Sequence, residues 1–238
     1  MIEIQNLSKT YKKNAVIRNL NLQIQEGLIT ALVGPNGSGK TTLLKCILGL
    51  TFPSKESRLL LAGLEYLKQN ELYEIGYMPQ IPLFPQNLKV KEILEILETL
   101  EKKNPVFKER IKEELEIKKF ESKYFGELSG GMKQKVNILQ CFSSEKKFYI
   151  IDEPTASLDP HISFYLKNLL KERKTMGSSI LFTSHIMSEV DEIADRVVVL
   201  VEGKLILHET PSEILAKSKA SNMEEALRSF WMKEGKHA

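Results

Sequence analysis

The sequence predicts an α/β fold, and three observations carry that expectation. Short apolar runs of strand length recur along the chain, at Leu28–Val33, Glu74–Met78, Phe148–Ile151 and Ser178–Thr183. Segments with helical spacing of apolar residues separate them. The first run leads into GPNGSGKT at 34–41, a full match to the phosphate-loop pattern GxxxxGK[ST], which needs a strand before it and a helix after it.

The N-terminal stretch reads as two strands. Ile2–Leu7 alternates with Ile2, Ile4 and then Leu7 inward, and Ala15–Ile24 continues through Val16, Ile17, Leu20, Leu22 and Ile24 to a turn at Glu26-Gly27. Tyr11 lies between them, and beside a nucleotide site its aromatic face suits stacking on a base. In the phosphate loop, Gly34 and Gly39 let backbone N–H groups turn around phosphate oxygens where a side chain would obstruct them. The helix that follows adds its dipole and unpaired N–H groups, with Leu43, Leu44, Ile47 and Leu48 on its inner face. Lys40 can reach the β- and γ-phosphates, and the Thr41 hydroxyl suits Mg²⁺. This stretch is built to bind a nucleoside triphosphate.

Leu59–Gly63 reads as a strand and turn, and Glu74–Met78 as a strand that runs into Pro79-Gln80. Three prolines between Pro79 and Pro85 break the next segment, yet it carries Tyr77, Met78, Ile81, Leu83 and Phe84. Helical spacing returns with Val90, Ile93, Leu94, Leu97 and Leu100, then with Ile111, Leu115 and Ile117, and Asn104-Pro105 separates the two. Residues 86–125 therefore read as a small helical lobe inserted into the α/β core. LSGGM opens a further helix at Leu128, with Ser129 in the N-cap region and Val136, Leu139 and Phe142 inward. On its own this glycine pair reads as a loop.

Phe148–Ile151 ends in Asp152-Glu153. A carboxylate pair at the end of a buried strand is costly unless it serves a cation or a proton. Asp152 is assigned to Mg²⁺, directly or through water, and Glu153 to the water that attacks the γ-phosphate. SLDP follows at Ser157–Pro160, then a helix over His161–Lys174 and a strand closed by Ser184-His185. His185 is placed either to reach a γ-phosphate or to cap the following helix, Ile186–Asp195. Arg196–Val201 and Lys204–His208 form a hairpin, and the tail lines up Met223, Ala226, Leu227, Phe230 and Trp231 on one helical face.

Composition narrows the function classes. The formal charge of +3 in 238 residues does not argue for nucleic acid, and no basic cluster interleaves with aromatics. Cys46 and Cys141 stand in apolar helical contexts without metal-ligand spacing, as buried free thiols of a reducing compartment do. No apolar run approaches the roughly 20 residues that span a bilayer, and the first residues lack a signal-peptide pattern. Any membrane role must come through a partner.

In this order, GPNGSGKT, Gln80, LSGGM, FYIIDE, SLD and His185 give the chain its resemblance to the ATP-binding subunit of ABC transporters, over essentially its whole length. The resemblance implies a P-loop NTPase core with a mixed sheet, an N-terminal antiparallel β subdomain and an inserted α-helical subdomain. The expected division is one domain over 1–238: core at 1–80 and 146–210, helical lobe with LSGGM at 81–145, helical tail at 211–238. It also implies ATP and Mg²⁺ held between two such domains arranged head to tail. Tyr11 would stack on adenine with Val16 beside the nucleotide. Gly34, Pro35, Asn36, Gly37, Ser38, Gly39, Lys40, Thr41 and Thr42 would hold the phosphates. Thr41, Gln80 and Asp152 would serve the metal, and Lys40, Gln80, Glu153 and His185 the hydrolysis. Ser129, Gly130 and Gly131 would contact the γ-phosphate bound to the opposite subunit, and Asp159 would cross the interface.

Met132 and Lys135 stand where that signature more often has Gln and Arg, but the serine hydroxyl and glycine N–H groups remain. The stretch before Leu59 also lacks the family's usual glycine, which touches only a turn. The short lobe, GGMKQKVN and NMEEALRSFW look similar to ATPases of the ABC-2 type, mainly exporters, among them the subunit serving nitrous oxide reductase maturation. The resemblance further implies a transmembrane permease partner, a second ATPase subunit, and a place on the cytoplasmic face of the inner membrane. Tyr77–Phe84 would receive a short helix of that permease. The competing reading is a non-transport ABC ATPase of translation, repair or iron–sulfur assembly. Such proteins duplicate the domain or insert coiled coils or zinc sites, and the sequence has no duplication, sustained heptads or CxxC.

Overall fold

The computed structural model describes residues 1–61, 64–65, 74–100, 105–155 and 158–234. Gly63, Asn104 and Ser157 lie outside them, so the turn after Leu59, the break before Pro105 and the first residue of SLD are not described.

Strands β1 (Ile2–Tyr11) and β2 (Asn14–Ile24) form a long antiparallel hairpin, extended by β4 (Arg58–Leu61) and β5 (Leu64–Glu65) in the order β2-β1-β4-β5. The inward residues of the hairpin do not keep strict period two. Ile4 is followed by Leu7, and Ile17 by Leu20, because Asn6 and Asn19 adopt positive φ and shift the register. Each left-handed asparagine takes up one residue, which returns Leu7 and Leu20 to the buried face opposite one another. The second sheet has the order β10-β9-β3-β8-β7-β6, from β3 (Ile29–Val33), β6 (Ile75–Met78), β7 (Phe148–Ile151), β8 (Ser179–Thr183), β9 (Arg196–Val201) and β10 (Lys204–Glu209). Neighbours run parallel except for β10, which returns antiparallel to β9. The expected mixed sheet and antiparallel N-terminal sheet are both present.

The central strands are buried on both faces, and alternation sorts their side chains between two cores. Leu32, Ile150, Leu181, Val198 and Leu200 face α1 (Lys40–Ile47) and the N-terminal sheet. Ala31, Val33, Tyr149, Ile151, Phe182 and Val199 face the opposite way, toward the remaining helices. These are α2 (Val90–Leu100), α3 (Pro105–Glu114), α4 (Gly130–Phe142), α5 (Pro160–Thr175), α6 (Met187–Ile193), α7 (Pro211–Ser218) and α8 (Met223–Glu234). The loops at the C-terminal ends of β3, β6, β7 and β8 converge on one edge, where open α/β sheets place ligands.

Two helices are shorter than their periodicity suggests. The one read over Ile186–Asp195 spans Met187–Ile193, because the Asp195 carboxylate turns back to accept from the Ile29 N–H at 2.8 Å. Ile111, Leu115 and Ile117 are all buried, but Glu116 at φ 53° ends the helix and Ile117 opens a separate 3₁₀ turn.

Candidate active site

The phosphate loop connects β3 to α1 and is held from behind. A Cβ at Gly34 would lie 2.0 Å from the Leu200 carbonyl oxygen, and one at Gly39 would lie 2.9 Å from that of Val16. The fold itself therefore requires glycine at both positions. Gly39 also takes φ 105° as the N-cap of α1, whose first N–H groups receive no side-chain cap. Such a helix start presents unpaired donors to an anion. Pro35, Asn36 and Gly37 form the exposed tip, while Ser38 and Gly39 are buried.

Lys40 is buried with its Nζ donating to the carbonyls of Gly34 at 2.8 Å and Pro35 at 3.2 Å. Burial lowers its pKa, and the negative charges of Glu153 and Asp152 push it back up. Thr41 Oγ1 donates to Asp152 Oδ2 at 3.2 Å, and Thr183 Oγ1 donates to Asp152 Oδ1 at 2.6 Å. Asp152 is only 4% exposed, so these two hydroxyls fix the orientation of a carboxylate that would be costly to bury alone. Thr183 in turn accepts from the Glu153 N–H at 2.9 Å. The donor set of Thr41, Asp152 and the Gln80 amide oxygen is all oxygen, which fits a hard cation such as Mg²⁺.

Glu153 is the convergence point. Its carboxylate accepts from Gln80 Nε2 at 2.7 Å through Oε2 and lies 2.6 Å from His185 Nε2 through Oε1. Its backbone sits at φ 51°, a conformation that costs a non-glycine residue of the order of 1–3 kcal/mol and must be imposed by its surroundings. The Thr183 hydroxyl and the β6–β7 bond from the Asp152 N–H to the Met78 carbonyl supply that constraint. Gln80, Glu153 and His185 come from three different strand ends and meet within hydrogen-bond reach.

The helix after LSGGM is tied to the same point. Gln134 Nε2 donates to the Gln80 carbonyl at 2.7 Å, and Asn137 Nδ2 donates to the Pro79 carbonyl at 2.8 Å and to Gln134 Oε1 at 3.0 Å. Both side chains are buried. Glu189, also buried, accepts from Thr155 Oγ1 at 2.9 Å and Ser184 Oγ at 3.2 Å, so it links the loop after Glu153 to the residue before His185. Thr183, Gln134, Asn137 and Glu189 escaped the sequence reading. Their one signal is a polar residue on an otherwise apolar inward face.

Other expected site residues lie apart from this centre. Tyr11 ends β1 and is 44% exposed, its hydroxyl 3.5 Å from Thr51 Oγ1 and the Lys9 ammonium 4.8 Å from its ring centroid. Val16 packs its carbonyl against Gly39 and Gly203. Ser129 caps α4 by accepting from the Met132 N–H at 3.3 Å, and a Cβ added at Gly130 would meet nothing within 4 Å. Asp159 caps α5 through the Ile162 N–H, which holds its carboxyl below the ordinary range. The segment after Gln80 divides: Met78 is in the core and Phe84 packs edge-on against Phe125 at 5.3 Å, whereas Ile81 and Leu83 are 68% and 85% exposed. No helix among the described residues is long and apolar enough to cross a membrane.

The family model described as ABC transporter matches residues 17–156. The lantibiotic transport ATP-binding protein SrtF of Streptococcus pyogenes is 32% identical over 207 residues, covering 87% of this chain and 90% of its own. A solved ATP-binding subunit of an ABC transporter superposes with a TM-score of 0.88 at 28% identity, covering 97% of this chain and 99% of its own. A dimeric ATP-binding cassette in a post-hydrolysis state, bound to ADP and Pi, superposes with a TM-score of 0.76 at 26% identity, covering 88% of this chain and 98% of its own.

Proposed function

This chain belongs to the ABC transporter family as an ATP-binding, ATP-hydrolysing subunit, and from that premise we propose that it powers export through a separate transmembrane partner by closing two copies head to tail over ATP. The observation that carries the reading is the meeting of Gln80, Glu153 and His185 beside the phosphate loop. The likeness to a lantibiotic transport ATP-binding protein supports a transport role over a non-transport one. The resemblance of the short lobe and the tail to ABC-2 ATPases supports the outward direction. A place on the cytoplasmic face of the membrane, held through the partner, follows from the same reading.

The proposed roles follow the geometry. Backbone N–H groups from Gly34 to Thr42 and the Lys40 ammonium hold the phosphates, and Tyr11 stacks on the base. Thr41, Asp152 and Gln80 would hold Mg²⁺, which offsets charge on the β- and γ-phosphate oxygens when bound. Gln80 Nε2 already donates to Glu153, which leaves its amide oxygen available. Glu153 accepts a proton from the water whose oxygen attacks Pγ as the bond to the β-phosphate oxygen breaks. His185 steadies that carboxylate and the γ-phosphate.

Glu189 acts here as a positioning residue. Glu189→Ala is expected to lower kcat about 10-fold to 10²-fold, the effect of a small misplacement, with little change in KM for ATP. Glu189→Gln, which can still accept both hydroxyl bonds, should retain most activity. Steady-state kinetics check this, and equal loss in both variants would contradict a purely positioning role.

Transport requires a coupling surface, and Ile81 with Leu83 supplies one. Two large apolar side chains this exposed, directly beyond Gln80, fit a partner helix better than water. Leu83→Asp is expected to fold and bind ATP normally but to lose co-purification with the membrane subunit. Phe84→Asp should destabilise the chain instead, because Phe84 packs on Phe125. Retained co-purification of Leu83→Asp would move the docking surface elsewhere.

A further inference from the structure

Helix α8 passes beside the phosphate loop, with Phe230 and Trp231 partly buried against the core and Arg228 exposed. Met223, Ala226 and Leu227 are buried against the body of the protein. Trp231, the only tryptophan of the chain, stands farther along the helix. It separates two hollows on either side of the loop tip. One, of about 440 Å³, runs from Asn36 and Ser38 to Arg228, and the other, of about 540 Å³, runs from Asn36 and His185 to Glu224. The Trp231 Nε1 is buried without a hydrogen-bond acceptor among the described residues, an unusual condition for an indole N–H. The exposed Ile186, next to His185, continues the same surface.

That surface is continuous with the one a second cassette must cover. In the head-to-tail arrangement proposed above, the Ser129 end of one copy lies opposite the phosphate loop of the other. Asp159, at the start of α5, lines a hollow of about 500 Å³ with Glu113, Glu114, Glu116, Lys135 and His161, where carboxylates outnumber the basic groups. Its acidic side chains complement an exposed arginine on α8. We infer that the end of α8 is an interface element between two copies of this chain: Arg228 and Trp231 of one copy close against the acidic hollow beside Asp159 of the other when ATP brings them together. Continuity with the ATP-closed surface and this charge complement select a second copy over any other occupant.

The inference rests on the nucleotide-gated dimer, and one experiment separates the two. In full-length Glu153→Gln, which retains ATP, oligomeric state is read by size-exclusion chromatography and Trp231 exposure by acrylamide quenching, each with and without Mg-ATP. The expected result is a dimer with ATP and a quenching constant lowered at least about twofold as the ring is enclosed. Arg228→Glu in the same background should weaken dimerisation by about tenfold, the effect of one lost charge pair, while ATP binding by the monomer is unchanged. A dimer with unaltered quenching, or one that tolerates Arg228→Glu, would overturn the role of α8 and leave the dimer standing. No dimer at all would overturn both. An equal quenching change in a chain that also carries Ser129→Arg and stays monomeric would show Trp231 sensing its own chain's nucleotide, again overturning the inference.

Discussion

Glu153→Gln is expected to bind ATP almost as the parent chain does and to hydrolyse it about 10²–10⁴-fold more slowly, the contribution of a positioned general base. Its carboxylate lies at the convergence of Gln80 Nε2 and His185 Nε2, and glutamine keeps the size and one acceptor but cannot take a proton from water. Nothing in the phosphate cradle depends on that proton. Lys40→Ala should behave differently. The Lys40 ammonium is the one side-chain cation set within the loop, bonded to the Gly34 and Pro35 carbonyls. Removing it takes charge from the phosphates in both the ground state and the transition state, so binding and hydrolysis fall together. ATP binding followed by calorimetry, with phosphate release measured separately, distinguishes the two variants. Equal loss of ATP affinity in both would contradict this division of roles.

The phosphate-loop motif was legible in the sequence because its requirement is local. Gly34, Gly39, Lys40 and Thr41 obey a spacing set by one strand, one loop and one helix. Strands and helices were legible for a similar reason, since period two and period 3.6 are visible within a single element. The supporting residues were not. Thr183 is an ordinary strand residue until β8 is placed beside β7, which sets its hydroxyl between Asp152 and the Glu153 N–H. Gln134 and Asn137 matter only because α4 packs against the loop that carries Gln80. The apolar segment from Tyr77 to Phe84 read as one surface, but tertiary packing divides it, and only Ile81 and Leu83 remain prominently exposed. In the N-terminal hairpin the irregular spacing was visible, while its cause lay in the φ of Asn6 and Asn19.

Ser129→Arg in the Glu153→Gln chain is expected to abolish ATP-dependent dimerisation. Gly34 in the phosphate loop and Gly130 at the start of α4 differ in what their surroundings require. A side chain at Gly34 would strike the Leu200 carbonyl at 2.0 Å, so the chain's own fold accounts for that residue. A Cβ at Gly130 would meet nothing within 4 Å, so the chain's own fold does not require glycine there. Ser129 and Gly130 form the exposed start of the 13-residue α4, where N–H groups and the helix dipole favour an anion. In the proposed arrangement that anion is the γ-phosphate held by the other copy. Arginine at Ser129 removes the cap on the Met132 N–H, worth about 1 kcal/mol, a loss that a domain stable by roughly 5–15 kcal/mol tolerates. Its bulk, however, fills the space between helix end and phosphate. Gly130→Ala provides the finer test, because it should leave thermal stability unchanged and still weaken the dimer. Size-exclusion chromatography with and without Mg-ATP reads both variants. If Glu153→Gln dimerises on ATP and the Ser129→Arg double variant does so equally well, the γ-phosphate is not closed by the start of α4, and the head-to-tail arrangement loses its principal contact.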